Sequence, residues 1–339
     1  MAAQQVAMTW QQLLEIARTH FADAPQAEGT SEMLQRCLLA GFVDQLCVRK
    51  DQGTLDCLLT EGRSGTLARE SVVQKAPLLV AASIREVSGR QGQLTLLGLA
   101  TAVNVEWLRD AFPRQFTEQT EYVYDRTHKR VAAIRFTRFR DLAVAQQHEK
   151  ELDPDRTGEA LAAAYLDGLF ELPLFSHDLK QFVARVNFVA KAMPDLEFPA
   201  FDRAAMQRAL GRGFRGLTLA KEAQAALLKS ALQSHLAKEQ VQWLDELAPQ
   251  AIALFGEKKN KLAYPEKGGP PELQVKLHEC FDLAEHPKIC EDRAPIVLWL
   301  CAPDGKRLQS TTDWPEFKVK EYPKIKSALQ KKYPGFNWR

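Results

Sequence analysis

The sequence has no apolar run long enough to cross a lipid bilayer. Its longest uncharged apolar stretch, residues 296–302, lies between Pro295 and Pro303, whereas a spanning helix needs about 20 apolar residues. The first residues, Met-Ala-Ala-Gln-Gln-Val-Ala-Met, have neither the positive charge nor the apolar core of a secretion signal. We therefore expect a cytoplasmic protein without a membrane partner.

A strong excess of either charge is also missing. The chain has 45 Lys and Arg against 43 Asp and Glu, a net charge of +2, so any nucleic-acid site must be local. The six cysteines are few for 339 residues, and without a secretion signal we expect reduced thiols. A composition of 45% apolar and 26% charged residues is that of a globular protein. This length predicts two or three domains.

Motifs for nucleotide chemistry are absent. A P-loop needs Gly-x4-Gly-Lys-Ser/Thr, but Gly305-Lys306 is followed by Arg307, and Leu300 stands at the first glycine position. The acidic stretch at residues 245–248 lacks the strand context of a metal-binding box, and we interpret it as a helix end. Residues 211–216 match Gly-x-Gly-x-x-Gly, but a helical pattern precedes them rather than a strand. We interpret them as a flexible loop between helices.

A metal or catalytic cluster is not indicated either. The candidates for metal ligands are His278, Cys280, His286, Cys290 and Cys301. They contain no Cys-x2-Cys pair of the kind that structural zinc sites use, so packing roles are favoured. No serine or cysteine has a base and an orienting group in a recognisable arrangement. We therefore predict no catalytic residue, no metal and no cofactor, and whether the chain is part of an enzyme stays open on motifs alone.

Periodicity predicts an α+β protein. Helices are indicated near residues 10–17, 33–42 and 105–111, and after these the region 144–247 is helical, with helices at 154–166, 178–193, 202–210 and 221–239. Strands are indicated at 54–59, 78–87, 93–100, 121–126, 131–140, 273–277 and 296–301. Glycine-rich turns at 61–65 and 88–92 separate the early strands, which suggests a small barrel or sandwich. A basic helix is predicted at 318–333, interrupted or started at Pro323.

The richest local signal is a basic hairpin at residues 121–141 with a turn at 126–129. Its candidate nucleic-acid-binding residues are Arg126, Lys129, Arg130, Arg135, Phe136, Arg138, Phe139 and Arg140. Strand alternation places Phe136, Arg138 and Arg140 on one face, and Arg135, Thr137 and Phe139 on the other. Cations that track phosphates and rings that stack bases are typical of single-strand binding. The alternative is a solvated edge hairpin whose arginines deter aggregation.

A second signal is the basic and aromatic C-terminus. Among its cations, Lys331 and Lys332 are candidate phosphate contacts; its aromatic residues include Trp314, Phe317, Tyr322 and Tyr333. The alternative is a terminal helix whose aromatic rings dock on the domain while the lysines face water.

Four stretches occur in the order found in a known helicase family. They are Leu-Asp-Glu-Leu-Ala-Pro at 244–249, Pro-Glu-Leu-Gln-Val-Lys-Leu-His-Glu-Cys-Phe at 271–281, residues 295–313, and Lys-Lys-Tyr-Pro-Gly-Phe-Asn-Trp at 331–338. With these stretches, the sequence resembles the C-terminal half of the bacterial HrpB proteins, which are ATP-dependent helicases of the DEAH/RHA group. His278 and Asp282 depart from the usual Gln and Gly of the second stretch.

The resemblance implies a domain order. Residues 1–43 would end a helicase-associated helical domain, 44–143 would form an OB-like β-barrel, 144–247 a helical region, and 248–339 the HrpB-type C-terminal domain. The family's RecA-like motor domains, which carry the P-loop and acidic box, have no counterpart in these 339 residues.

The resemblance also implies an accessory function. The chain would bind single-stranded RNA or DNA, or modulate a RecA-like helicase core in cis or in trans. The alternative is a protein-interaction scaffold that docks on a helicase motor and has little nucleic-acid affinity. The near-neutral charge modestly favours the scaffold.

Overall fold

A computed structural model of the protein describes residues 2–21, 28–89, 92–256 and 258–339. It confirms the α+β class. The helices are α1 (Ala2–His20), α2 (Ser31–Gly41), α3 (Val105–Ala111), α4 (Pro154–Leu166), α5 (His177–Ala192), α6 (Arg203–Gly213), α7 (Ala225–Gln233), α8 (Lys238–Leu247), α9 (Trp314–Lys320) and α10 (Tyr322–Lys332). Among the described residues, no helix is both long and apolar enough to cross a membrane.

The strands β4 to β7 have ten residues or more, and the others are shorter. They are β1 (Leu46–Arg49), β2 (Asp56–Leu59), β3 (Ser64–Leu67), β4 (Leu78–Gly89), β5 (Gly92–Ala102), β6 (Phe116–Asp125), β7 (Arg130–Phe139), β8 (Leu142–His148), β9 (Ala251–Phe255), β10 (Lys258–Lys261), β11 (Glu272–Lys276), β12 (Lys288–Ile289), β13 (Ala294–Pro295), β14 (Val297–Cys301) and β15 (Arg307–Thr311). Of the predicted turn at 88–92, residues 90 and 91 lie outside the described residues.

The chain divides into two compact units. Unit 1 comprises Met1–Gln119 and Arg135–Gln147, and unit 2 comprises Thr120–Ile134 and His148–Arg339. Strands β6, β7 and β8 form a sheet in that order and have residues in both units. The finer division into four domains stays a prediction.

Unit 1 contains a closed five-stranded barrel of order β1-β2-β3-β5-β4, as the OB-like expectation requires. β3 and β5 are parallel, and the other neighbours are antiparallel. Alternate residues point inward, so Cys47, Cys57, Leu59 and Leu97 meet in a buried core. A second buried cluster of unit 1 joins residues of α2 and α3 with those of β1, β4 and β7.

Unit 2 has one large hydrophobic core. Helices α4 to α8 and strands β11 and β14 contribute to it, and so do the aromatic residues of the C-terminus. Helix α5 shows how the sequence dictates this packing: Leu179, Val186 and Val189 recur at helical spacing and are buried. Pro194 then begins a short 3-10 turn, and the helix ends at Ala192.

Three sequence predictions need correction. Residues 221–239 do not form one helix, because α7 ends at Gln233 and α8 starts at Lys238. The region 144–247 does not begin as helix, because β8 continues to His148. The strands β1 and β3 were not predicted, and β3 starts inside the turn assigned to 61–65. The predicted helix at 318–333 is α9 followed by α10, with Pro323 in the first turn of α10.

Candidate nucleic-acid surfaces

The hairpin turn between β6 and β7 presents three of the predicted cations, all exposed and in unit 2: Arg126, Lys129 and Arg130. Asp125 orders this turn by accepting two backbone N–H groups at 2.8 and 3.1 Å. The hydrogen bond from the His128 ring is the main cause that lowers the pKa of Asp125. Within the described part of the chain, no carboxylate lies at ion-pair distance from these three cations. They are therefore available to an anion.

The second half of β7 lies in unit 1 and presents a cation beside an aromatic ring. The guanidinium of Arg138 lies 5.4 Å from the ring centroid of Phe136, as strand alternation predicts for residues two apart. Both side chains are half-buried, and Arg135 is exposed. Arg138 also donates to the carbonyl of Asp141 at 3.3 Å. This pairing of guanidinium and ring offers a stacking face next to positive charge.

Arg140 is fixed by partners within unit 1. It follows β7 with a positive φ of 54°, so it no longer continues the alternation of the strand. Its Nε donates to Gln115 Oε1 at 2.7 Å, and its Nη1 lies 2.6 Å from Asp44 Oδ1. An incoming phosphate would have to compete with both groups, so the predicted binding role of Arg140 is replaced by a structural one.

Phe139 corrects the sequence prediction outright. Its side chain is fully buried, and its ring packs edge-on against Phe112 at 6.0 Å and Phe116 at 5.4 Å. Stacking on a base requires an exposed ring face. Phe139 is therefore a core residue of unit 1, whereas Phe136 is half-buried and its binding role stays a prediction.

The C-terminal candidates, Lys331 and Lys332, are exposed in the last turn of α10. Lys332 Nζ lies 5.2 Å from the ring of Tyr333, whose hydroxyl donates to Asp304 at 2.7 Å. That hydrogen bond is the main cause that lowers the pKa of Asp304. The neighbouring aromatic residues Trp314, Phe317, Tyr322 and Trp338 are buried. Much of this segment thus follows the docking alternative, with its lysines facing water.

One aromatic residue near these lysines stays accessible. Phe336 is 40% exposed, and its ring lies 4.7 Å from the ring of His278. Burial is the main cause that lowers the pKa of His278. The pair adds a stacking surface that the sequence motifs did not single out.

The predicted residues therefore fall into three sets. Arg126, Lys129 and Arg130 form one set in unit 2, and Lys331 and Lys332 form another there; Arg135, Phe136 and Arg138 belong to unit 1. Among the described residues of unit 2, no hydrogen bond, ion pair or ring contact joins its two sets, so these two sets do not form one cluster.

Five of the six cysteines are buried, and His286 is held by hydrogen bonds. All six cysteines are free thiols, and burial raises the pKa of both Cys47 and Cys280 to about 12. His286 has both ring nitrogens engaged, with Ile296 O at 2.7 Å and the backbone N–H of Trp314 at 3.1 Å. Among the residues described, no three His, Cys, Asp or Glu side chains are grouped to hold a metal ion.

Part of the chain matches a model of a known family. Residues 210–339 match the model of the HrpB-type ATP-dependent helicase C-terminal family. The chain is 23% identical over 316 residues to the ATP-dependent RNA helicase HrpB of Escherichia coli strain K12. That alignment covers 92% of this chain and 38% of the relative, so the chain spans about two fifths of the relative's length.

Solved structures show the same fold. A crystal structure of the E. coli DExH-box NTPase HrpB superimposes with a TM-score of 0.58 at 22% identity, covering 98% of this chain and 41% of that one. A crystal structure of the Escherichia coli DEAH/RHA helicase HrpB gives a TM-score of 0.51 at 21% identity, with coverages of 96% and 40%. The resemblance found in the sequence is therefore confirmed: this chain is similar to the C-terminal region of HrpB-type helicases.

Proposed function

We propose that this chain is a non-catalytic accessory region of an ATP-dependent helicase of HrpB type and binds single-stranded nucleic acid. The binding residues in unit 1 are Arg135, Phe136 and Arg138. The exposed turn cations of unit 2 would supply further phosphate contacts.

One observation supports this proposal most directly, namely the guanidinium of Arg138 beside the ring of Phe136 on β7, where both side chains are half-buried. A base has an aromatic face that stacks on rings and on guanidinium planes, and its phosphate is attracted to the same arginine. Because stacking does not depend on base identity, we expect little sequence preference.

The barrel of unit 1 supports the same function. Small barrels of the OB type bind oligonucleotides with their strands and loops, and the barrel here has the strand order β1-β2-β3-β5-β4. A near-neutral net charge is compatible with this because the cations are concentrated locally. The relative's name gives RNA as its substrate, so we expect RNA to be the natural ligand.

The test is fluorescence anisotropy of a labelled single-stranded RNA titrated with the full chain at several salt concentrations. We expect affinity to fall steeply with salt because bound phosphates release counterions. The variant Arg135→Gln with Arg138→Gln should bind more weakly and lower the slope of log K against log salt by about 1 to 2.

A matched control removes two other exposed arginines of unit 1, by Arg69→Gln with Arg114→Gln. Both double variants lose the same charge, so a nonspecific effect would appear equally in both. No binding by the unmodified chain, even at low salt, would contradict the proposal. Arg140 is left unchanged because its loss would disturb the packing around Asp44 and Gln115.

A second function, docking on a helicase core in cis or in trans, is favoured by helix α1. Its apolar residues Val6, Trp10 and Leu13 recur at helical spacing and are 70%, 63% and 58% exposed. Exposed apolar surface of this kind marks protein interaction sites. The test is co-elution with a separately expressed helicase core of HrpB type. Trp10→Ser with Leu13→Ser should abolish co-elution, whereas Gln4→Ser with Gln11→Ser should not.

A further inference from the structure

The C-terminal sheet of unit 2 has one buried face and one outward face. β14 is the middle strand, with β11 parallel on one side and β15 antiparallel on the other. Leu273, Val275, Leu298 and Leu300 point into the core of unit 2. Gln274 and Lys276, which alternate with Leu273 and Val275 along β11, are exposed. Alternation therefore places every second residue of β11 and β14 on the outward face.

Trp299 lies at the centre of that outward face. It is half-buried, pairs with Gln274 of β11 and Ser310 of β15, and is the middle residue of β14. The guanidinium of Arg307 lies 4.7 Å from its ring centroid. A base can stack on the guanidinium of Arg307. It can also stack directly on the indole of Trp299 when Arg307 instead binds a phosphate.

Cations flank the tryptophan on both sides of the middle strand. Lys276 and Arg307 are both the register partners of Cys301, so they sit one strand to either side of β14. Cys301 is two residues from Trp299, which is about 7 Å along a strand. Both cations are exposed. Positive charge is thus held on both sides of a ring, as in single-strand binding surfaces.

The neighbouring strand β10 extends the positive face. A bridge between Ala263 and Glu272 joins the segment after β10 to β11. Lys259 and Lys261 are exposed and alternate with the half-buried Asn260, so they share the outward side with Ala263. Their register partners Ala253 and Ala251 are small, which leaves both amines open to a ligand.

The charge on this face is mostly of one sign. This face carries four cations and one carboxylate. The carboxylate is that of Glu272, which the register places on the same face, and the cations are Lys259, Lys261, Lys276 and Arg307. In the described part of unit 2, no ion pair neutralises any of the four. A polyanion with flat aromatic groups complements this surface better than a neutral or basic partner does.

We infer that this outer sheet face, formed by Lys259, Lys261, Lys276, Trp299 and Arg307, binds single-stranded nucleic acid. The phosphates lie along the lysines, and one base stacks at Trp299 and Arg307. The inference rests on the proposed function for its ligand class, but it uses none of the hairpin residues. It gives the HrpB-type C-terminal domain a binding site of its own.

The test uses the full chain and a fluorescein-labelled oligouridine of 12 nucleotides, with the oligothymidine of equal length as a second arm. Trp299→Ala should weaken binding about tenfold, and Trp299→Phe should restore most of it because a ring remains. Lys259→Gln with Lys261→Gln should lower the salt slope by about 1.4, which corresponds to two phosphates on a single strand. A loss of equal size on Trp299→Ala in both arms means that the sheet site binds RNA and DNA alike, and a larger loss in the RNA arm means that the site prefers RNA; both support the site, and no loss in either arm contradicts it.

The control is Lys229→Gln with Lys238→Gln, which removes two exposed lysines of unit 2 from helices α7 and α8. Ultraviolet crosslinking followed by mass spectrometry gives a readout that needs no variant, because the tryptic peptide 294–306 contains Trp299. An adduct on this peptide is expected.

The outcomes separate the two proposals. Binding that is unchanged in the sheet variants, with adducts only on hairpin peptides, overturns the sheet site and leaves the hairpin proposal standing. Binding that is lost in the sheet variants but unchanged by Arg135→Gln with Arg138→Gln overturns the hairpin site alone. Complete absence of binding by the unmodified chain overturns both.

Discussion

The guanidinium of Arg185 lies 2.5 Å from a carboxylate oxygen of Asp245, although the arginine side chain is only 4% exposed and the aspartate 70%. Arg185 also donates to the backbone carbonyls of Ala248 at 2.6 Å and Leu244 at 3.1 Å. These carbonyls lie at the end of α8. That of Leu244 also accepts the backbone N–H of Ala248 at 3.0 Å, so Arg185 is its second donor. Arg185 of α5 thus caps the C-terminal end of α8, which lies within the Leu-Asp-Glu-Leu-Ala-Pro stretch.

The first prediction concerns the asymmetry of this pair. Arg185→Met should lower the free energy of unfolding by about 1 to 3 kcal/mol, because the buried carbonyl of Ala248 loses its donor and that of Leu244 keeps only the N–H of Ala248. Asp245→Asn should cost less than about 1 kcal/mol, because an exposed partner is screened by water. Urea unfolding of both variants, followed by far-ultraviolet circular dichroism, measures the difference. Equal losses would show that the ion pair, not the helix end, is what Arg185 stabilises.

The second prediction concerns the contact between α4 and α6. A Cβ at Gly158 would lie 2.3 Å from the carbonyl oxygen of Gly211 and 3.0 Å from the backbone nitrogen of Arg215. Since no flexible side chain can move aside, Gly158→Ala should force the helices apart and destabilise unit 2 by about 2 to 4 kcal/mol. Gly335→Ala is the control because nothing lies within 4 Å of its added Cβ. Equal melting temperatures for the two variants would argue against this close packing.

The same contact corrects the interpretation of residues 211–216 as a flexible loop. Gly211 and Gly213 belong to α6, and a Cβ added at Gly213 would lie 3.0 Å from a side-chain carbon of Leu228 in α7. Only Gly216, with φ +77°, needs the left-handed region. These glycines therefore permit close packing of the helices, and this packing explains the Gly-x-Gly-x-x-Gly pattern without a bound nucleotide.

The third prediction is a loss of stability at mildly acidic pH. His286 accepts the Trp314 N–H at Nδ1, so its neutral form fits the fold. Burial lowers its pKa from the ordinary value of 6.5. As the pH falls below about 6.5, the unfolded state binds more protons than the folded state, so the free energy of unfolding decreases. The contribution is fully present above that pH.

Melting temperatures between pH 7.5 and 5 test this effect. His286→Gln keeps a polar side chain but cannot titrate, so its melting temperature should depend less on pH than that of the unmodified chain. His278 stays in both proteins and contributes equally to each. Identical pH dependence would mean that His286 does not contribute to acid sensitivity.

The sequence allowed correct prediction of those elements that are stabilised by interactions between residues close together in the chain. The turn at 126–129 and helix α5 follow from Asp125, from apolar spacing and from Pro194. Strand β8, in contrast, is Leu-Ala-Val-Ala-Gln-Gln-His, whose alanines and glutamines also suit a helix. This segment is a strand because it pairs with β7 in the sheet, and residue propensities do not indicate such a pairing partner.

The site was harder to predict because burial is a property of the whole unit. Alternation separates the two faces of β7 but does not indicate which face is buried in the core. From the sequence, therefore, Phe139 and Phe136 were equally good candidates for a surface ring. The partner of Arg140, Asp44, is 96 positions away in the chain. Lys259 and Lys261 were overlooked, although alternating lysines in a short strand were a readable signal.

The two phenylalanines of β7 provide the fourth prediction, because one substitution can be made at both. Phe139→Leu should destabilise unit 1 by about 1 to 3 kcal/mol, since the ring fills a fully buried position against Phe112 and Phe116. Phe136→Leu should cost less stability because this ring is half-buried. In nucleic-acid binding the order should reverse: Phe136→Leu loses a stacking face, while Phe139→Leu, measured well below its melting temperature, keeps the affinity of the unmodified chain. Anisotropy titrations and thermal melts of the same two preparations measure both effects, and weaker binding by Phe139→Leu alone would remove Phe136 from the proposed site.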